Sequence, residues 1–155
     1  MYSKPNTKLD ELNLYIRELG ERGDPKDIET LIEIMWCADK EGSNNAAWAL
    51  TQIHHPLSVW AIVQDFGNKT RLDREFIAEH IKKMGDVALN PLVDALKDDR
   101  PSVRREAAYF LGEIKSPEAI KPLTDVVNKD VWGYVRHAAR DALRKCKKSA
   151  VGRGE

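Results

Sequence analysis

Apolar residues recur along this chain at one long interval. Leu19, Leu50, Ile81, Leu111 and Leu143 stand 31, 31, 30 and 32 residues apart, and a second column, Leu31, Ile62, Leu92 and Leu123, follows the first by 11 or 12 residues. Two phased apolar sets in each period mean two amphipathic segments per unit. A period of this length is the mark of a helical solenoid, in which no unit buries its apolar face alone and neighbours must stack. The pattern predicts an all-α chain of about four and a half two-helix repeats of ~31 residues.

Local signals place the helices. Asp24-Pro25, His55-Pro56, Gly85-Asp86 and Ser116-Pro117 keep the repeat spacing. A capping residue followed by Pro at the first helical position is a helix start, so Pro56 and Pro117 begin helices. Ile28, Val59, Leu89 and Ile120 precede the second column by three residues and share its face, which defines helix A of each unit. Polar turns follow at Asp39 to Ser43, Gly67 to Thr70, Lys97 to Pro101 and Asn128 to Gly133. Helix B then carries the first column, preceded by Tyr15, Ala46, Ile77, Ala107 and Ala139 at four residues and by Ile16, Ala47, Ala78, Ala108 and Arg140 at three. Small residues there let helices approach closely. Ile53, Met84, Ile114 and Cys146 extend the stripe by another turn.

The expected helices cover residues 7–20, 25–40, 43–54, 56–66, 71–84, 86–97, 101–114, 117–128 and 131–147. The first unit has only its B helix. Arg136, Arg140, Arg144, Lys145, Lys147 and Lys148 make the last helix polar, as the outer face of a terminal unit must be. Residues 1–148 are expected to form a single array, with 149–155 a disordered tail.

The stretches NPLVDALKDDRPSVRREAAYFLGEI (Asn90 to Ile114) and KPLTDVVNKDVWGYVRHAARDALRKC (Lys121 to Cys146) share a pattern: Pro-Leu in helix A, an acidic turn, Val-Arg, paired small residues, then Leu-Gly or its equivalent. They resemble HEAT repeats of the short type named after phycobilisome lyases. That resemblance implies a right-handed α-α superhelix whose B helices line the concave surface. It also implies several possible roles: adaptors without catalysis, bilin or other tetrapyrrole-handling lyases and chaperones, a di-iron hydroxylase, and glycosylases that bind DNA. Fold does not choose among them.

Composition narrows the choice. The chain has 25 basic and 25 acidic residues and lacks the cationic excess that non-specific nucleic-acid or membrane binding uses. The charge is divided unevenly: residues 1–70 hold 7 Lys or Arg against 11 Asp or Glu, and residues 71–155 hold 18 against 14. A basic C-terminal half with Arg104, Arg105, Arg136, Arg140 and Arg144 keeps nucleic acid open as a third reading, disfavoured by the neutral total. No apolar run is long enough to span a bilayer, and Asp10, Glu11 and Glu18 interrupt any leader-like segment, so a cytoplasmic location is expected. Cys37 and Cys146 lie about three repeats apart, too far for a disulfide, and are expected to be packed, reduced thiols.

No catalytic or metal-binding constellation emerges, and no cofactor is expected. A di-iron site of the hydroxylase type would need several His-Glu pairs. The chain has one reversed Glu79-His80. His54 and His55 are adjacent, but a metal needs further ligands, and His55 sits where Asp24 and Ser116 cap other helices. Arg104 and Arg136, with Asp99 and Asp130 in the preceding turns, fit a structural ladder between units. Trp36 and Trp60, on A helices, are expected in the core or in packing between units, and Val131, Trp132 and Tyr134 form a second candidate patch.

The B-helix face opposite the apolar stripe carries the candidate site. Two residues before the first column lie Arg17, Trp48, Glu79, Tyr109 and Asp141, and six before it lie Asn13, Asn44, Glu75, Arg105 and His137. Aromatic and arginine side chains on such a face are the residue types that dominate binding hot spots. The expectation is a non-catalytic scaffold that holds a protein or peptide partner through Asn44, Trp48, Glu75, Glu79, Arg105, Tyr109, His137 and Asp141.

Overall fold

The computed structural model describes residues 7–68 and 72–154. Among these residues the chain forms nine α-helices: α1 (Thr7–Arg22), α2 (Ile28–Cys37), α3 (Lys40–Gln52), α4 (Pro56–Asn68), α5 (Arg74–Met84), α6 (Asp86–Ala95), α7 (Pro101–Ile114), α8 (Ile120–Lys129) and α9 (Gly133–Gly152). Even-numbered helices are the A helices and odd-numbered ones the B helices. The expected turn at Gly67 to Thr70 falls partly outside the described residues, as does Glu155 at the end of the expected tail. Residues 149–152, expected to be disordered, instead continue α9.

The helix starts follow their caps. Asp24 accepts from the Lys26 amide at 3.0 Å and Ser116 from the Glu118 amide at 3.3 Å, each opening a short 3-10 turn at a proline that leads into α2 or α8. His55 Nδ1 takes the Leu57 amide at 3.2 Å, so this histidine is a cap. Asp39 and Asp73 cap α3 and α5 through the Gly42 and Phe76 amides. Each cap satisfies one of the donors that a helix start leaves without a partner.

Both apolar columns lie inside one continuous core. Leu19, Leu50, Ile81, Leu111, Leu31, Ile62, Leu92 and Leu123 are buried, and Leu143, in the terminal unit, is half-buried. Tyr15 and Arg140, also in end units, are exposed, since among the described residues α1 and α9 each have a neighbouring unit on one side only. B helices stack in sequence, α1 on α3, α3 on α5, α5 on α7 and α7 on α9. Among the described residues α1 and α9 make no substantial contact with each other. The result is an all-α solenoid.

At both ends of the array the B helices pack more closely than the A helices do. Glycine permits this. A Cβ on Gly112 would lie 2.8 Å from the Ala142 Cα, and one on Gly20 would lie 3.0 Å from the Ala49 Cα. Both glycines follow the first apolar column by one residue, and both alanines precede it by one in the next unit. In the middle of the array α4 packs on α6 and α7 and touches its own partner α5 little. Phe66 of α4 meets Phe110 of α7 edge-on, with ring centroids 5.3 Å apart.

Trp36, Trp60 and Cys37 lie outside the core. Trp36 and Trp60 are 46% and 47% exposed, on the A-helix surface, because the buried stripe runs through Met35 on α2 and through Val59, Ile62 and Val63 on α4. One residue of helical phase, about 100°, carries each tryptophan out of the stripe. Cys37 is also exposed at the end of α2. Cys146 is buried as expected, its thiol donates to the Leu111 carbonyl at 3.7 Å, and burial pushes its pKa up.

Candidate functional site

The B face is held in register by polar bridges between units. Near the N-terminus they are amides: Asn45 Nδ2 donates to Asn13 Oδ1 at 2.9 Å, and Asn13 Nδ2 to Glu41 Oε1 at 3.2 Å. Asn44 accepts the Asp73 amide at 2.7 Å, which ties α3 to the start of α5. Near the C-terminus they are ionic. Arg104 donates to both oxygens of Asp130 at 2.7 and 3.2 Å and to the carbonyls of Asp98 and Asp99, and Arg136 donates to the carbonyls of Asp130 and Val131. This is the expected ladder, with Asp99 contributing its backbone only. Hydrogen bonds from Arg104 hold the Asp130 carboxyl below its usual pKa range against the opposing effect of burial. Lys145 pairs with Glu113 across the α7–α9 interface.

Four of the expected site residues come together. Arg105, Tyr109, His137 and Asp141, from α7 and α9, line a hollow of about 510 Å³ shared with Arg74, Glu106, Tyr134, Arg144 and Lys145. Asn44 and Trp48 line two other hollows, of about 430 and 210 Å³, that meet at Phe76. Glu75 and Glu79 stand exposed on α5 between these regions. The expected eight-residue face is thus divided into an N-terminal amide-rich part and a C-terminal charged basin.

Both candidate aromatics are partly covered. Trp48 rests over Gly20 of α1, its Cζ3 only 3.1 Å from where a Cβ would stand. Tyr109 is flanked by cations, with the Arg74 guanidinium 5.2 Å and the Lys145 ammonium 5.8 Å from its ring centroid. Burial, reinforced by Glu113, raises the Tyr109 phenol pKa, while Lys145 and Arg74 oppose the shift. Tyr134 is exposed and lies under the Arg105 guanidinium at 5.8 Å. It also joins the expected Val131, Trp132 and Tyr134 patch to the basin, since its ring is 5.9 Å from that of Trp132.

At the bottom of the basin is a residue that column analysis did not single out. The Glu106 side chain is 1% exposed and accepts from Arg74 Nη2 at 2.6 Å and from Arg105 Nε at 2.8 Å, both on Oε1, with Arg105 Nη2 also 2.7 Å from that oxygen. Its Oε2 is buried and has no hydrogen-bond partner among the described residues. The signal was available: Glu106 lies on the helical face of Val103, Ala107 and Phe110, and an acid in a buried stripe requires a cation.

On the opposite surface, Trp36 and Leu57 line a hollow of about 500 Å³ between α2 and α4, bordered by Glu29 and Glu33. Among the described residues no cluster of three or more His, Cys, Asp or Glu side chains is placed to hold a metal ion. No described helix is long and apolar enough to cross a membrane.

Comparison with known proteins bears on the fold. Residues 67–144 match the family described as HEAT repeats. Among solved structures, human deoxyhypusine hydroxylase in complex with glycerol is similar, with a TM-score of 0.61 and 24% identity over 84% of this chain. The chain spans 46% of that protein's length, and at this identity the likeness establishes the fold alone. No curated protein matches the sequence.

Proposed function

Because this chain belongs to the HEAT-repeat family, we propose that it is a non-catalytic scaffold that holds a peptide or a segment of a partner protein on its B-helix face. HEAT repeats commonly mediate protein interactions. The observation that carries the reading is the basin on α7 and α9, where Arg105, Tyr109, His137 and Asp141 from two successive units surround one hollow. Side chains fixed by stacked helices and inter-unit bridges lose little freedom on binding, so more of the contact energy appears as affinity. The tyrosines supply contact area and the charged rim sets orientation.

Capture of the partner from native lysate by the tagged chain tests this reading when two double variants are compared. Trp48→Ala with Tyr109→Ala removes the two candidate aromatics of the B face, and Trp36→Ala with Trp60→Ala removes the two exposed tryptophans of the A face. At about 2 kcal/mol per hot-spot residue, the B-face variant loses the captured partner and the A-face variant retains it. Helical circular dichroism confirms that both remain folded. Loss from the A-face variant alone overturns the assignment.

A further inference from the structure

We propose that the α7–α9 basin is a preorganised anion site that takes the carboxylate or phosphate of an acidic segment of the partner protein. The inference rests on the B-face reading and names the chemistry of the group held there.

The argument begins at Glu106. A single guanidinium neutralises a buried carboxylate, and the strongest arrangement is a fork in which two N–H groups meet two oxygens. Here Arg74 from α5 and Arg105 from α7 both converge on Oε1. Two positive charges on one negative charge leave a local excess of one. Glu106 can accept on only one side of each guanidinium, and each has five N–H donors. Arg74 uses one of them and Arg105 two, so Nε and Nη1 of Arg74 and Nη1 of Arg105 lie outside the contact.

Two like-charged groups remain side by side only where something holds them. Each guanidinium has two supports, the buried carboxylate and an aromatic ring: Tyr109 for Arg74 and Tyr134 for Arg105. Arg side chains otherwise give up considerable rotamer freedom on binding, and supports of this kind remove that cost beforehand. Around the same hollow stand Lys145 and Arg144, with Asp141 as the second lining carboxylate. Asp141 is engaged by Arg144 at 2.6 Å and lies 3.4 Å from His137. The lining carries four Lys or Arg against two Asp or Glu, and since Lys145 is paired with Glu113 just outside the hollow, the surplus is the one positive charge left by Arg74 and Arg105 on Glu106, before His137 is counted. A carboxylate or phosphate oxygen matches that surplus and the planar donors. The neutral total charge of the chain selects an acidic protein segment over the continuous phosphate backbone of a nucleic acid.

Proton–nitrogen NMR titrations of the full chain test the inference. The probes are three blocked peptides of equal length that carry two adjacent glutamates, two phosphoserines or two glutamines, together with inorganic phosphate and a short DNA duplex. The acidic peptides are expected to shift the Tyr109 and Tyr134 amides and the Arg105 Nε–H saturably. Glutamate and phosphoserine are separated by which binds more tightly, and the glutamine peptide binds at least about tenfold more weakly. Arg105→Met weakens the acidic peptide about tenfold, as read at Tyr109. Lys145→Met, at the rim and away from the buried carboxylate, weakens it in the same direction and keeps the test valid if the first variant unfolds. Equal binding of glutamate and glutamine peptides, no saturable shift with either acidic peptide, or preferential binding of the duplex would overturn the anion site. If partner capture still fails with the Trp48 and Tyr109 double variant, the B-face reading survives that result. If capture is unaffected while the acidic peptide binds, it is the B-face reading that fails.

Discussion

Between α1 and α3, Gly20 lies against Ala49, and between α7 and α9, Gly112 lies against Ala142 at the same repeat positions. In the two middle steps of the ladder those positions are filled by Thr51 with His80 and by Lys82 with Phe110. The small pairs let helices close up at the ends. In the middle the packing is different, with α4 making its contacts to α6 and α7 and Phe66 against Phe110. One repeat length therefore supports two kinds of interface. The two close interfaces also differ in their polar bridges, amides at the N-terminal end and ion pairs at the C-terminal end. The charged basin lies beside the ionic one.

The largest test falls on the irregular middle. Phe110 is fully buried, and Phe110→Ala removes the ring that joins α7 to α4, so it should lower unfolding stability by about 3–5 kcal/mol in denaturant titrations. A loss below about 1 kcal/mol would mean that the middle is held by something other than this aromatic contact.

The ionic end comes next. Asp130→Asn leaves the largely buried Arg104 without its charged partner and should cost about 2–3 kcal/mol. The sign of its pH dependence follows from the direction of the shift. The folded-state pKa of Asp130 is depressed, so its stabilisation is complete above the ordinary carboxylate range and is lost as pH falls through the folded value. Stability of the parent chain should decline with acidification through that window, and Asp130→Asn should flatten the decline. By contrast, Asn13→Ala at the amide end should cost about 1 kcal/mol with little change in the pH profile.

The glycine contacts give the finest discrimination. Gly112→Ala forces a Cβ into the Ala142 backbone and should destabilise by about 1–2 kcal/mol despite the better helix propensity of alanine. Gly20→Ala meets Ala49 and the Trp48 ring at slightly longer range and should cost less, within about 1 kcal/mol. A reversed order in thermal melts would show that the N-terminal interface is the tighter of the two.

The apolar columns made the architecture legible in the sequence. Each unit repeats the same face, so Leu50, Ile81 and Leu111 needed no tertiary information to be placed in the core. Trp36 and Trp60 lie outside the core because helical phase puts Met35 and Val59 inside instead. The site was legible only in part. Position along helix B identified Arg105, Tyr109, His137 and Asp141 as facing away from the stripe, and they do share a hollow. It could not show that Glu75 and Glu79 lie outside that hollow, because where α5 sits beside α7 is set by how the two units dock. Nor did it reveal the joint hold of Glu106 on Arg74 and Arg105, since a contact across 32 residues is set by how two units dock.

Hydrogen–deuterium exchange on the full chain, alone and with its captured partner, tests most directly whether the C-terminal B face is the docking surface. Binding should slow exchange in segments 101–114 and 133–146 and leave the A helices α2 and α4 unchanged. Protection confined to residues 28–37 and 56–66, with α7 and α9 unaffected, would contradict the account and move the docking surface to Trp36, Leu57 and Trp60.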